Sequence, residues 1–292
     1  MAKEFEITKM LGVGAFGVVF EATNNIDGWK YAIKRISIDP RREKEALNEV
    51  RAMARLDHSG IVRYNSTWIE RPPEGWQSNE DINICQRLDS SSRNLFVMNY
   101  RLDSVFIYIQ MQLCKYSLAG WLDENHEPSK RPLSRMKGWF RQIVTAVAYI
   151  HEMNLIHRDL KPANILFFDY DHLKLCDLGI ATQRKPEGVQ DTNLSRSKIG
   201  TEMYMSPEQR SYFAKYSSKT DIFTLGLILT ELCIVMTREQ RLEIFDNFRN
   251  GTSADFFEDA DTANFVGMLT QVDPKCRPTC QDMLAHQYLA SA

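Results

Sequence analysis

The chain has 292 residues, 43% of them apolar and 25% charged, with 36 basic against 38 acidic side chains and a net charge of −2. That balance suits one large domain or two modest lobes with a real core, and it gives no global drive toward nucleic acid or an anionic membrane. Six cysteines form no C-x-x-C pair and no metal-ligand spacing, so reduced intracellular thiols are expected. The longest apolar run, Phe223 to Met236, is broken by Thr224, Thr230 and Glu231 and is too short and polar to span a membrane. The Met-Ala-Lys-Glu-Phe start lacks a signal peptide, so a cytosol-type domain is expected, with any targeting segment outside it.

In chain order, residues 5–36 alternate apolar and polar positions around glycines, which predicts a small antiparallel sheet. Over 41–56 the period becomes helical, with Ala46, Leu47, Val50, Met53 and Ala54 on one face. Residues 61–69 and 105–113 read as two further strands, separated by a polar stretch from Arg71 to Ser104 without clear periodicity. A structureless insert of that length usually means a functional or disordered loop. Trp139, Ile143, Val147 and Ile150 place a helix over 134–152. Short strands follow at 165–168 and 173–176, then a polar loop at 183–203, then helical patterns to the end. The sheet-rich first third and helical remainder predict an α+β, bilobal chain: a small lobe over 1–113 containing the 71–104 insert, and a larger helical lobe over 114–292. The chain crosses between them near Gln112–Tyr116, a common setting for a small ligand.

The chemistry-bearing motifs follow this order. Gly12-Val-Gly14-Ala-Phe-Gly17 could open a dinucleotide-binding helix or cover phosphates in a hairpin; Val18, Val19 and Phe20 continue it as a strand, favouring the hairpin. Lys34, in Tyr31-Ala-Ile-Lys34, would ordinarily be a solvated edge lysine, but Glu49 on the following helix offers it a carboxylate. His157-Arg-Asp159-Leu-Lys161-Pro-Ala-Asn164 then sets a carboxylate, an ammonium and an amide on one short loop. Asp177 follows thirteen residues past Asn164, and Ser206-Pro207-Glu208 closes the segment. Phosphoryl transfer needs this set to orient a nucleophile, neutralise phosphate and hold Mg²⁺. The joint order and spacing argue against a purely structural reading.

On these motifs the chain resembles a eukaryotic protein kinase from Phe5 to about Leu289. The resemblance implies ATP and Mg²⁺ as cofactors. It implies that Lys34 contacts the α/β-phosphates and pairs with Glu49, that Asp159 accepts the substrate proton, and that Lys161 neutralises the γ-phosphate. Asn164 and Asp177 would hold the metal, and Met111 would be the gatekeeper beside a hinge, Gln112, Leu113 and Cys114, that binds adenine. Leu11, Gly12, Gly14, Gly17, Val19 and Ala32 would complete the nucleotide site. Glu208 would pair with Arg277, and Asp221 would anchor the catalytic loop. Leu178 stands in place of the usual Phe, and Ser206 in place of the usual Ala. Cys176, beside Asp177, reads more simply as a small buried residue than as a redox site.

Finer stretches narrow the resemblance. Ile61 to Trp68, Ile109 to Cys114, Tyr204 to Gln209 and the long insert are similar to the kinases of the translation initiation factor 2 alpha subunit. Pro72-Pro-Glu-Gly-Trp-Gln77 resembles most the PERK (PEK) type, which answers endoplasmic reticulum stress from a single-pass membrane protein; the haem-regulated type is the alternative. That family implies a homodimer through the small lobe, for which Tyr64 and Glu4 match interface positions but could equally be solvated surface groups, and substrate docking at Thr237, for which a helix cap is the alternative. It also implies activating phosphorylation in the 183–203 loop. Arg196 occupies the family's threonine position, leaving Ser195 and Ser197 as candidates, Thr192 as a weaker one, and Thr201 as the second family site. No nucleic acid and no membrane contact within this stretch are expected. A pseudokinase scaffold would have lost one of Lys34, Glu49, Asp159, Asn164 or Asp177, and all are present. A small-molecule kinase would lack the loop that ends in Ser206-Pro207-Glu208.

Overall fold

Period-two alternation at the start of the chain and period-3.6 patterning after residue 117 divide the architecture. The computed structural model describes residues 4–14, 17–73, 76–87, 105–177, 182–183, 202–211, 217–252 and 256–290. They fall into two units, the first built from 1–57 and 62–114, the second from 58–61 and 115–292.

The first unit is an antiparallel sheet of β1 (Phe5–Gly14), β2 (Gly17–Asn24), β3 (Lys30–Ile38), β4 (Tyr64–Glu70) and β5 (Val105–Gln112), in the order β1-β2-β3-β5-β4. Because alternate residues point to opposite faces, β3 sends Ile33 and Arg35 one way and Lys34 and Ile36 the other. Helix α1 (Glu43–Ala54) covers the second face, where Val50 packs with Ile107 and Ile109 and with Ile36, Leu47, Met53 and Met111.

The opposite face is covered by an element that the periodicity of 71–104 does not announce. Residues Trp76–Arg87 form a helix, α2, so that stretch is not structureless throughout. Its buried positions Gln77, Asp81 and Ile84 do recur at helical spacing. Two of the three are polar, so the stripe has no apolar contrast to read. Ile84 packs against Val18 and Phe20, with Ile7, Met10 and Val13 around them.

The second unit begins with β6 (Tyr116–Ser117) and α3 (Leu118–Glu124), where Ser117 caps α3 by accepting from the Gly120 N–H at 3.1 Å. Helix α4 (Leu133–Glu152) carries a buried stripe through Met136, Trp139, Phe140, Ile143, Val147 and Ile150. Next come β7 (Leu155–Ile156), β8 (Ile165–Phe167), β9 (Leu173–Leu175) and β10 (Thr182–Gln183), then the short helix α5 (Pro207–Arg210). Helix α6 (Lys219–Cys233) is buried from Thr220 to Leu232, the mark of a core helix rather than an amphipathic one. Around it lie α7 (Arg238–Arg249), α8 (Ala260–Leu269), α9 (Cys280–Ala285) and α10 (Gln287–Ala290). No described helix is long and apolar enough to cross a membrane.

Contact between α6 and α8 is close enough to require a glycine. A Cβ on Gly226 would lie 2.7 Å from Thr270 Cγ2 and 3.0 Å from Leu269 Cβ. Thr270 has little freedom to turn away, since its hydroxyl donates to the Val266 carbonyl at 2.9 Å. Overpacking of this kind costs about 1–3 kcal/mol, more than the helix propensity that alanine returns. Gly226→Ala is expected to lower Tm, and adding Thr270→Ser, which removes the offending methyl, is expected to recover most of the loss in a thermal melt.

Candidate active site

The loop between β7 and β8 is shaped by one buried carboxylate. Asp221, on α6 and 1% exposed, accepts from the backbone N–H of His157 at 2.9 Å through Oδ2 and from that of Arg158 at 2.9 Å through Oδ1. His151 Nε2 also lies 2.8 Å from Oδ2. Burial alone would push this carboxyl up; the bond with His151, the nearby His157 and the Arg158 N–H hold it below its ordinary value. The same bonds keep Arg158 at φ 67°, a left-handed conformation that is costly outside glycine. The Arg158 carbonyl in turn accepts from Gln209 Nε2 at 3.0 Å. Cys280 Sγ lies 3.6 Å from His151 Nδ1, so cysteine, histidine and aspartate stand in line. Burial pushes that thiol far up, which makes it a packing group rather than a nucleophile.

With the loop so held, Asp159 is 4% exposed. Its Oδ2 accepts from Lys161 Nζ at 2.8 Å and from Asn164 Nδ2 at 3.0 Å, while Oδ1 is buried with no hydrogen-bond partner among the described residues. Asn164 Nδ2 donates also to the Asp159 carbonyl at 2.7 Å, leaving its own amide oxygen for other work. The Cys176 N–H donates to the Asn164 carbonyl at 2.9 Å, and the Cys176 carbonyl lies 3.2 Å from His157 Nε2. Asp177, the next residue, sits at φ 60°. These backbone bonds bring Asp159, Lys161, Asn164 and the Asp177 backbone to one place. A hard divalent cation prefers oxygen, and the Asn164 amide oxygen with the Asp177 carboxylate supplies two suitable donors. No group of three or more His, Cys, Asp and Glu among the described residues could hold a metal alone, so a cation here draws its remaining oxygens from its ligand or from water.

In the first unit, sheet register puts Gly12, Val19, Ala32, Lys34 and Met111 of the predicted nucleotide residues on one face. Gly12 pairs with Val19, Val19 with Lys34, Lys34 with Ile109, and Ala32 with Met111. Residues directly opposite in antiparallel strands share a face, which is the face covered further along by α1. Lys34 is buried at 7% exposure. Gly14 pairs with Gly17 at the end of the hairpin. Gly17 has φ 126°, and a Cβ there would lie 2.0 Å from the Arg35 carbonyl, so this glycine is needed by the sheet itself. A Cβ on Gly12 would meet nothing within 4 Å. Leu11 is exposed, β5 ends at Gln112, and the first unit ends at Cys114. Glu49 stands on α1, but its side chain lies outside the described part of the structure, as do residues Leu178, Thr192, Ser195, Ser197 and Thr201.

Further from the loop, Arg277 is fully buried and grips Glu208 through two parallel bonds of 2.7 and 2.9 Å. Thr237 is the N-cap of α7, in a reciprocal capping box with Gln240: its side chain accepts from the Gln240 N–H at 3.3 Å and its N–H donates to Gln240 Oε1 at 2.8 Å. It also lines a cavity of about 590 Å³ together with His126, Met203, Ile234, Arg238 and Arg241. Sequence reasoning missed Gln209, whose Ser-Pro-Glu-Gln context announces a helix start but not its second bond, to the Arg158 carbonyl of the loop that carries Asp159. It also missed His151 as the third partner of Asp221.

The protein kinase domain family model matches residues 5–289, so the chain belongs to the protein kinase family, whose members use ATP and Mg²⁺. It is 38% identical over 285 residues to the interferon-induced, double-stranded RNA-activated protein kinase of Rattus norvegicus, covering 97% of this chain and 51% of that protein. It is 25% identical to the eukaryotic translation initiation factor 2-alpha kinase pek-1 of Caenorhabditis elegans, covering 99% of this chain and 44% of that one. Identity is 28% with the eIF-2-alpha kinase GCN2 of Rattus norvegicus, covering 98% and 25% respectively. The chain thus spans about half the length, or less, of these relatives.

Two carboxylates, the buried Asp221 and the half-buried Glu208, set a pH dependence. Burial would push Glu208 up, but Arg277 holds it below its ordinary value, in the same direction as Asp221. A carboxyl lowered in the folded state adds stability above its unfolded value, about 4, and that stability drains as pH falls through the folded value. Tm should therefore hold at neutral pH and fall steeply in acid. Glu208→Gln, which orphans a buried guanidinium, should cost about 3–5 kcal/mol at pH 7 and flatten the acid limb of Tm against pH.

Proposed function

We propose that this chain transfers the γ-phosphate of ATP to a serine or threonine of a protein, with the alpha subunit of translation initiation factor 2 as the substrate. The observation that carries the reaction is the asymmetry of Asp159. One carboxylate oxygen is occupied by Lys161 and Asn164, and the other is buried and unmatched. An acceptor held in that state suits a hydroxyl that presents its proton. Lys161, tied to the same carboxylate, is placed to offset charge on the transferring phosphoryl group. Asn164 and Asp177 would hold Mg²⁺, which when bound neutralises phosphate charge, and Lys34 on the sheet would position the α/β-phosphates beside the hinge at Gln112–Cys114.

The substrate assignment rests on the relatives, two of which are named as initiation factor 2-alpha kinases, and on Thr237 beside its cavity. Within that group the Pro72–Gln77 motif speaks for the PERK type and a response to endoplasmic reticulum stress. Two numbers speak for the double-stranded RNA-activated type instead. Identity is higher, 38% against 25%, and the alignment to that relative runs over 285 residues. The pek-1 alignment runs over 479, longer than this chain, so pek-1 carries insertions that this chain lacks. We favour the double-stranded RNA-activated branch, whose short insert this chain shares. A small-lobe dimer through Tyr64 and Glu4 belongs to the same reading.

Asp159→Asn keeps the shape and the Asn164 contact of the side chain. It should cut turnover by about a thousandfold or more with ATP binding and Tm nearly unchanged; activity within tenfold of wild type would remove Asp159 as the base. Aspartate caps helices as well as threonine does, so Thr237→Asp should leave Tm intact. If Thr237 docks the substrate, that variant loses phosphorylation of purified initiation factor 2 alpha while still labelling a generic protein. Equal loss on both substrates would refute docking.

A further inference from the structure

Arg35, the residue after Lys34, is 2% exposed, although it lies on a sheet face built from Val18, Phe20, Ile33, Phe106 and Tyr108. A guanidinium cannot be neutralised at any ordinary pH, and burying it without a matched anion costs several kcal/mol. Its carboxylate comes from outside the sheet. Asp81 on α2, itself 4% exposed, accepts Arg35 Nη1 at 2.6 Å and Nη2 at 2.8 Å through separate oxygens. Its Cζ also lies over two rings, 5.3 Å from the Phe20 centroid and 5.7 Å from the Phe106 centroid.

A second layer fixes the carboxylate. Gln77 Nε2, one turn earlier on α2, donates to Asp81 Oδ1 at 2.8 Å, and Tyr108 Oη donates to Gln77 Oε1 at 3.3 Å. Ile84, one turn later, packs on Val18 and Phe20 of the glycine hairpin. The 71–104 insert therefore touches three strands that carry nucleotide residues: β2 with Gly17 and Val19, β3 with Ala32 and Lys34, and β5 with Met111.

We propose that α2 is a clamp on the nucleotide-binding sheet and that Asp81 is a positioning residue, acting through Arg35 to fix the placement of Lys34 toward ATP. Arg35 and Lys34 share a peptide unit and point to opposite faces. A buried guanidinium held by two bonds to one carboxylate limits both slide and twist of β3 at that point, and the lysine on the far face inherits the restriction. The inference rests on the reading of Lys34 as the phosphate lysine.

The test is steady-state kinetics with ATP and a generic protein substrate, alongside thermal melts. Asp81→Ala should raise KM for ATP by about tenfold, the equivalent of about 1.4 kcal/mol of lost ATP contact, with KM for the protein substrate unchanged. A helix that only stabilises the fold would instead lower the active fraction, reducing apparent kcat and leaving both KM values alone. Arg35→Met/Asp81→Leu removes both charges instead of orphaning one, so it should recover Tm and carries the test if Asp81→Ala does not fold. With Tm recovered and KM for ATP still raised, the clamp stands. Should KM for ATP return to the wild-type value in the double variant, or remain there in Asp81→Ala, the proposal is overturned. Lys34→Met is the separate control: wild-type ATP kinetics in that variant would overturn the reading of Lys34 without bearing on whether α2 clamps the sheet.

Discussion

A carboxylate sealed inside a protein must be matched or it will not stay ionised, and the second unit is organised around one that is matched. Asp221 has almost no exposure, so water cannot serve it. Its acceptors are filled by two consecutive backbone N–H groups and an imidazole nitrogen. Two successive amides can converge on one carboxylate only if the chain turns sharply, which is what the left-handed Arg158 achieves. That turn determines where Asp159 stands, and from there the bonds to Lys161, Asn164 and, through Cys176, the approach to Asp177 follow. An unmatched Asp159 oxygen costs about 1–3 kcal/mol, and a rigid loop anchored from below can carry that cost.

Much of this was open to reading from the sequence, for a physical reason. Groups that must meet at one point are readily carried on short loops, so the spacing of the proposed catalytic residues survives as a string: Asp159, Lys161 and Asn164 are near neighbours, and Asp177 is one β-hairpin away. Helices α1 and α4 bury apolar stripes, and their periodicity appears directly. Helix α2 is different. Two of its buried positions, Gln77 and Asp81, are polar because their partner is Arg35, and a pattern that contrasts apolar with polar residues has nothing there to detect. Gln209 was hidden because it reaches the loop through one bond from a distant part of the chain, and His151, though close in sequence, because it supports the loop only through Asp221, far along the chain.

The two units stabilise their key groups by different means. In the second, backbone amides converge on side-chain carboxylates, so loop shape and site geometry are one problem. In the first, strand pairing places the residues proposed to hold the nucleotide, and side chains from outside the sheet secure it. Arg277 and Arg35 illustrate a shared solution. Each is nearly inaccessible, each is held in a two-bond fork by a carboxylate far along the chain, and each lies near an aromatic ring: Phe223 for Arg277, and Phe20 and Phe106 for Arg35. Guanidinium is better suited than ammonium to such places because its planar fork matches carboxylate geometry and its faces tolerate rings.

The alternation of Lys34 and Arg35 along β3 has a consequence for how the strand can change over time. A strand displaced by a single residue exchanges its two faces completely. On β3 that exchange would present an arginine to the nucleotide side and leave a lysine, a poor match for a bidentate carboxylate, beside two phenylalanine rings. Both faces would fail at once. Any change in length of the β2–β3 connection at Asn24–Trp29 must therefore be absorbed within the turn itself, because β3 cannot slide to accommodate it.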